Sequence, residues 1–170
     1  MARRSSKPPA GSALDSGLRY LTGRSHSRLE LRRKLARKGF DSDELEVALD
    51  RLTELGYLDD AAFAQGLVRR RSMNRGPAAL AAELGAKGIS RAGVAAALAD
   101  LDPGSQLEAA TRLAERLYAE KPVPGYQQML NRIGAKLVRR GYSSSVVREA
   151  CRAVLAAAPA TAGPPAGAEL

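Results

Sequence analysis

Asp59 and Asp60 place two carboxylates side by side, a pair that could in principle hold a metal ion, while His26 and Cys151 are the single residues of their types. The carboxylate pair reads more simply as a helix start, where it caps free amides and meets the positive end of the helix dipole. One histidine and one cysteine cannot assemble an ordinary four-ligand zinc site, and a lone cysteine forms no internal disulfide. His26 precedes a capping box of Ser27 and Glu30, and reads as a solvated loop residue or a phosphate contact rather than a general base. The chain has no G-x-x-x-x-G-K-[S/T] phosphate loop and no G-x-G-x-x-G after a strand. We expect no enzyme, no cofactor and no metal.

Cations are the stronger signal. The 170 residues carry 27 Lys and Arg against 18 Asp and Glu, a net charge of +9, with a pI near 10.2, which favours a polyanionic partner. Lys34, Arg37 and Lys38 recur at the equivalent positions Lys136, Arg139 and Arg140, whereas the stretch between them has Glu83, Ala86 and Lys87 there. A merely solvated face has no reason to keep its cations in two places and lose them in the third. Two basic corners therefore flank a more neutral segment. Arg69, Arg70 and Arg71, with Arg75, add a cluster at a helix end, where cations are favoured in any case. Aromatic residues are only 4% and Trp is absent, so such patches can track a phosphate backbone but offer little for stacking bases. Binding should depend weakly on sequence.

The elements that position these cations are helices. Apolar residues recur at three- and four-residue spacing, as in Leu31 and Leu35 or Leu45, Leu49 and Leu52, and almost nothing alternates at period two. The stretch from Leu31 to Phe40 can be written above Leu80 to Ile89 and Ile133 to Tyr142. Gly39, Gly88 and Gly141 fall where a helix ends in a left-handed residue, a conformation glycine adopts without steric cost. The next residue, Phe40, Ile89 or Tyr142, is placed to fold back on Leu35, Leu84 or Leu137. Asp41, Ser90 and Ser143 then cap a following helix. Those helices keep register: Leu45, Val94 and Val147 are equivalent, as are Leu49, Leu98 and Cys151, which makes Cys151 core material and not a reactive thiol.

Further helices over about 13–23, 59–73 and 104–120 complete three triplets, nine helices in all. The predicted fold is all-α, with three tandem three-helix repeats at 13–56, 57–101 and 102–158 forming an elongated, curved array. A disordered basic tail at 1–12 and a second disordered tail at 159–170 flank it. No apolar run approaches the 18 or so residues of a membrane span, and none follows the basic N-terminus. The expectation is a cytoplasmic protein.

Four stretches carry a resemblance. Arg24-Ser-His-Ser-Arg-Leu-Glu-Leu-Arg-Arg-Lys-Leu-Ala-Arg-Lys-Gly39, Leu55-Gly-Tyr-Leu-Asp-Asp-Ala-Ala-Phe-Ala64, Glu83-Leu-Gly-Ala-Lys-Gly-Ile89 and Lys136-Leu-Val-Arg-Arg-Gly-Tyr-Ser143 resemble the RecX family of recombination regulators in wording and order. Tyr142 stands where Phe would be expected. The resemblance implies a three-repeat modulator of the RecA recombinase that binds RecA filaments on single-stranded DNA, limits their growth, and suppresses ATP hydrolysis and strand exchange. It also implies weak, non-specific binding to single-stranded DNA and no catalytic residues, and we expect a monomer.

In the Gly-Tyr-Leu-Asp-Asp segment, Gly56 should end a helix, Tyr57 pack back onto Leu52 and Asp59 cap the next helix, a fold signature and not a binding site. The competing reading is a stand-alone helix-turn-helix-like DNA-binding regulator. For that, the helices after the corners offer Glu44, Leu45, Ala48 and Ala92, Ala95, Ala96, poor chemistry for reading bases. A passive helical adaptor with only a protein partner fits the high pI less well.

Overall fold

The glycine corners form for the reasons their residues suggest. In the computed structural model, which describes residues 11–123 and 125–158, Gly39, Gly88 and Gly141 have φ of 98°, 84° and 87°, in the left-handed region. Ile89 and Tyr142 return their amides to the carbonyls of Leu84 and Leu137 at 3.1 and 3.3 Å, the long bond of a Schellman ending. Phe40, Ile89 and Tyr142 are all buried. The side chains of Asp41, Ser90 and Ser143 then accept from the amides of Glu44, Gly93 and Val146, each starting a new helix.

In chain order the elements are α1 (Ala13–Gly23), α2 (Arg28–Lys38), α3 (Ser42–Glu54), α4 (Asp60–Arg71), α5 (Pro77–Ala86), α6 (Arg91–Ala99), α7 (Pro103–Glu120) and α8 (Tyr126–Met129). A π-helical turn (Leu130–Gly134), α9 (Ala135–Arg139) and α10 (Ser144–Ala157) follow, and no strand occurs among the described residues. The predicted tails lie outside the described residues except for Gly11 and Ser12, and Ser12 is the N-cap of α1, accepting from the Asp15 amide. The third corner helix is broken into α8, the π-turn and α9, unlike its counterparts α2 and α5. The π-turn widens the helix by one residue and sets Gly134 against α10, where a Cβ would lie 3.2 Å from Val147 Cγ1.

The described residues form two compact units, one of 11–70 and 81–100, the other of 71–80, 101–123 and 125–158. In the first, α1 and α2 pack on α3 around Leu31, Leu35, Leu49 and Leu52, which are fully buried. Gly17 permits the close approach of α1, since a Cβ there would lie 2.6 Å from Leu52 Cδ1. In the second, α10 packs on α7 around Ala110, Ala114, Leu137 and Cys151. Cys151 is thus a core residue, and burial pushes its thiol up, away from the reactive thiolate.

Within each unit a glycine corner is closed by the start of another helix. Ser27, the cap of α2, donates through Oγ to the Lys87 carbonyl at 2.6 Å, and Gly88 is pressed against Leu29, where a Cβ would lie 2.6 Å from Leu29 Cβ. In the second unit the amides of Gly76 and Ala78, at the start of α5, donate to the Arg140 and Gly141 carbonyls at 2.8 and 3.2 Å. Carbonyls stranded at the end of one helix thereby receive donors stranded at the start of another.

Tyr57 corrects the sequence reading. Gly56 does end α3, with φ 74°, and the amides of Tyr57 and Leu58 both reach the Leu52 carbonyl. Leu58 is buried, however, while Tyr57 is 59% exposed. Two successive residues leaving the helix present their side chains to different sides, and Leu58 takes the inward one.

Candidate functional site

Lys34 and Lys38 stand one turn apart on α2, so they leave the same face, and that face meets Tyr20 of α1. The Lys34 and Lys38 ammonium groups lie 4.6 and 5.5 Å from the Tyr20 ring centroid, within cation–π range. Lys38 also donates to Ser16 Oγ at 3.2 Å, and Lys34 lies 3.3 Å from His26 Nε2. His26 is not the solvated residue expected from sequence: it is 3% exposed, edge-on to Tyr20, with Nδ1 3.5 Å from Glu30 Oε2. An ammonium can only donate, so this contact needs a neutral imidazole with its proton on Nδ1. The Glu30 amide donates to Ser27 Oγ, the first half of the expected capping box, and its carboxylate, which the Ser27 backbone helps to hold ionised, also lies beside Lys87, Arg24 and His26. Of the three cations at this corner, Arg37 is exposed and without a partner among the described residues.

Burial, with Arg24 and Lys34 nearby, pushes the His26 imidazole below its ordinary value. Burial would raise the Glu30 carboxyl, but the hydrogen bond and charge of Lys87 outweigh it and hold the group below its ordinary value. Both groups therefore bind protons less readily folded than unfolded. Their contribution is fully present above the unfolded pKa and declines as pH falls below it, which begins near 6.5 for His26 and 4.5 for Glu30. Chemical denaturation should show stability falling from pH 7 to 5.5, with one histidine supplying at most about 1.4 kcal/mol per pH unit. His26→Gln should flatten that slope; an unchanged slope would assign it to other groups.

The equivalent cations of the third corner are arranged differently. Lys136, Arg139 and Arg140 are exposed and line, with Leu113, Arg116, Leu117 and Glu120 of α7, a concavity of about 500 Å³. A second, of about 220 Å³, is lined by Met73, Asn74, Ala109 and Arg112 and shares Leu113 and Arg116 with the first. Arg140 is steadied by the Asn74 carbonyl at 3.5 Å and Arg112 by Glu108 at 3.4 Å. Arg116, Lys136 and Arg139 have no ion-pair partner among the described residues. Sequence reasoning missed Arg112 and Arg116. Their four-residue spacing on α7 was visible, but nothing in the sequence says that this face lies beside α9.

The remaining candidates are dispersed. Arg69 and Arg70 are exposed at the end of α4, and Arg70 folds over Gly66, where a Cβ would lie 3.1 Å from its Nη1; Arg71 is engaged in an interaction of its own. Asp59 accepts from the amides of Ala61 and Ala62 and so caps α4, while Asp60 accepts from the Arg28 amide. Both carboxylates are thus bound to backbone. Among the described residues no group of three or more His, Cys, Asp or Glu is placed to hold a metal ion, and no helix is long and apolar enough to cross a membrane.

Comparison with known proteins places three segments. Residues 13–52, 59–98 and 105–151 match the family described as RecX, first, second and third three-helix domain respectively. The regulatory protein RecX of Mycobacterium ulcerans (strain Agy99) is 43% identical over 143 residues, covering 82% of this chain and 83% of the relative. That of Mycolicibacterium smegmatis (strain ATCC 700084 / mc(2)155) is 37% identical over 145 residues, covering 82% and 77%. A crystal structure of RecX from Lactobacillus salivarius superposes with a TM-score of 0.75 at 24% identity, over 85% of this chain and 95% of that one, a likeness of fold. A crystal structure of a regulatory protein RecX gives 0.73 at 27% identity, over 79% and 68%.

Proposed function

The chain belongs to the RecX family of regulatory proteins, and from that premise we propose that it is a non-catalytic, monomeric modulator of the RecA recombinase. In this reading it binds the RecA filament on single-stranded DNA through Lys34, Arg37 and Lys38, Lys136, Arg139 and Arg140, with Arg69, Arg70 and Arg71 in support, and limits filament growth, ATP hydrolysis and strand exchange. The observation that carries it is the row of exposed cations on α9, held in the open by a glycine-terminated helix and unmatched by carboxylates. Long cations without partners stabilise a fold little, so their presence calls for an external anion.

The competing helix-turn-helix reading needs base-reading side chains after the corners. Leu45 and Ala48 are buried in the core, which leaves that helix little with which to read a groove. The test is RecA-dependent ATP hydrolysis on single-stranded DNA with substoichiometric amounts of this protein. Hydrolysis should fall well before one chain per RecA is reached. An unchanged rate at every ratio would overturn the proposal.

A further inference from the structure

The two corners that match by residue type differ in what their cations touch, and the difference sorts them by task. At the first corner, Lys34 and Lys38 are occupied by Tyr20, His26 and Ser16, contacts that link α2 to α1 and to the segment between them. At the third, Lys136, Arg139 and Arg140 face Arg116 of α7 across an open concavity that carries one carboxylate, Glu120, and Arg112 extends the same surface.

Four of these five cations are arginines, whose planar forks match phosphate oxygens two at a time. The floor is aliphatic, with Leu113 and Leu117, and lowers the local dielectric beneath the charges, which strengthens their pull on an anion. Close by, the Tyr142 hydroxyl is buried with no hydrogen-bond partner among the described residues, near enough to feel the charges of Arg140 and Arg112. No described tyrosine, phenylalanine or histidine lines the cleft to stack a base.

We propose that the cleft formed by Arg112 and Arg116 of α7 with Lys136, Arg139 and Arg140 is a binding site for a run of successive phosphate groups. The site grips the chain of phosphates and ignores what they carry, so either the backbone of a single strand or a linear polyphosphate satisfies its chemistry. It adds Arg112 and Arg116 to the binding residues, and gives Lys34 and Lys38 a packing role beside the one they have in the regulatory reading. The inference deepens the regulatory reading and rests on it for nucleic acid as the natural source of phosphate.

The test uses the full chain without RecA, titrated into a fluorescently labelled oligothymidylate and followed by anisotropy at several salt concentrations. Arg116→Glu combined with Arg139→Glu, both exposed and without described partners, should keep the helical circular dichroism of wild type and weaken binding at least tenfold at low salt. At about 0.7 per lost contact on a single strand, the log-log salt slope should drop by about 1.4. Arg33→Glu with Arg91→Glu carries the same change in net charge outside the cleft and should stay within about threefold of wild type. Equal losses in the two variants would overturn the site in favour of diffuse attraction, and so would unaltered binding in the cleft variant. Inorganic tripolyphosphate that displaces the oligonucleotide below the ionic strength at which NaCl does so supports the site with either source. Displacement only by unlabelled oligonucleotide supports it with the strand backbone as the source. RecA is absent, so loss of the site here leaves the regulatory reading standing, and failure to inhibit RecA would leave the site standing.

Discussion

Alanine in place of Gly141 is expected to destabilise the protein by about 3 kcal/mol or more, a larger loss than at Gly88 or Gly56. Two costs combine there. An L-residue held at φ 87° costs about 1 to 2 kcal/mol, and the new Cβ would overlap the backbone nitrogen and the Cβ of Ala79. That backbone cannot move away, because the amides of Gly76 and Ala78 are bonded to the Arg140 and Gly141 carbonyls. Gly56 has the same sign of φ but open space where a Cβ would go, so Gly56→Ala should cost only about 1 to 2 kcal/mol. Gly88→Ala should fall between them, since the Leu29 side chain it meets can partly give way. Urea titrations of the three variants check the order. Equal losses would mean that only backbone strain matters and that the seal against α5 is energetically idle.

Leu52→Ala should cost about 2 to 5 kcal/mol, the range for emptying a fully buried leucine site, and the loss should depend on the residue at position 17. Gly17→Ala alone gains helix propensity of about 1 kcal/mol but drives a Cβ to 2.6 Å from Leu52 Cδ1, an overpacking that costs about 1 to 3 kcal/mol. A net loss near 1 kcal/mol is expected. Once Leu52 is alanine the obstruction is gone, the propensity gain remains and the added methyl fills part of the void. Gly17→Ala should then stabilise. A double-mutant cycle by denaturant unfolding should return a coupling above about 1 kcal/mol, whereas additive changes would contradict the close approach of α1 to α3.

The local chain chemistry of this protein was legible from its residues alone. Left-handed glycines, the caps at Asp41, Ser90, Ser143 and Asp59 and the core position of Cys151 follow from the residue in question, its near neighbours and the apolar period. A helix end must satisfy its amides and carbonyls within a turn, so the sequence there has few alternatives. The recurrence of basic residue types at two corners was equally plain. What those cations do was decided by the tertiary structure. Lys34 and Lys136 are equivalent in sequence, yet one lies over the ring of Tyr20 and the other lines an open cleft beside Arg116, because different helices lie opposite them. The burial of His26, the exposure of Tyr57, the seal of Gly76 against Gly141 and the partnership of α7 with α9 have the same origin. Each depends on which distant side chain arrives within a few ångströms, and a helical period records which face of a helix is buried but not what it is buried against.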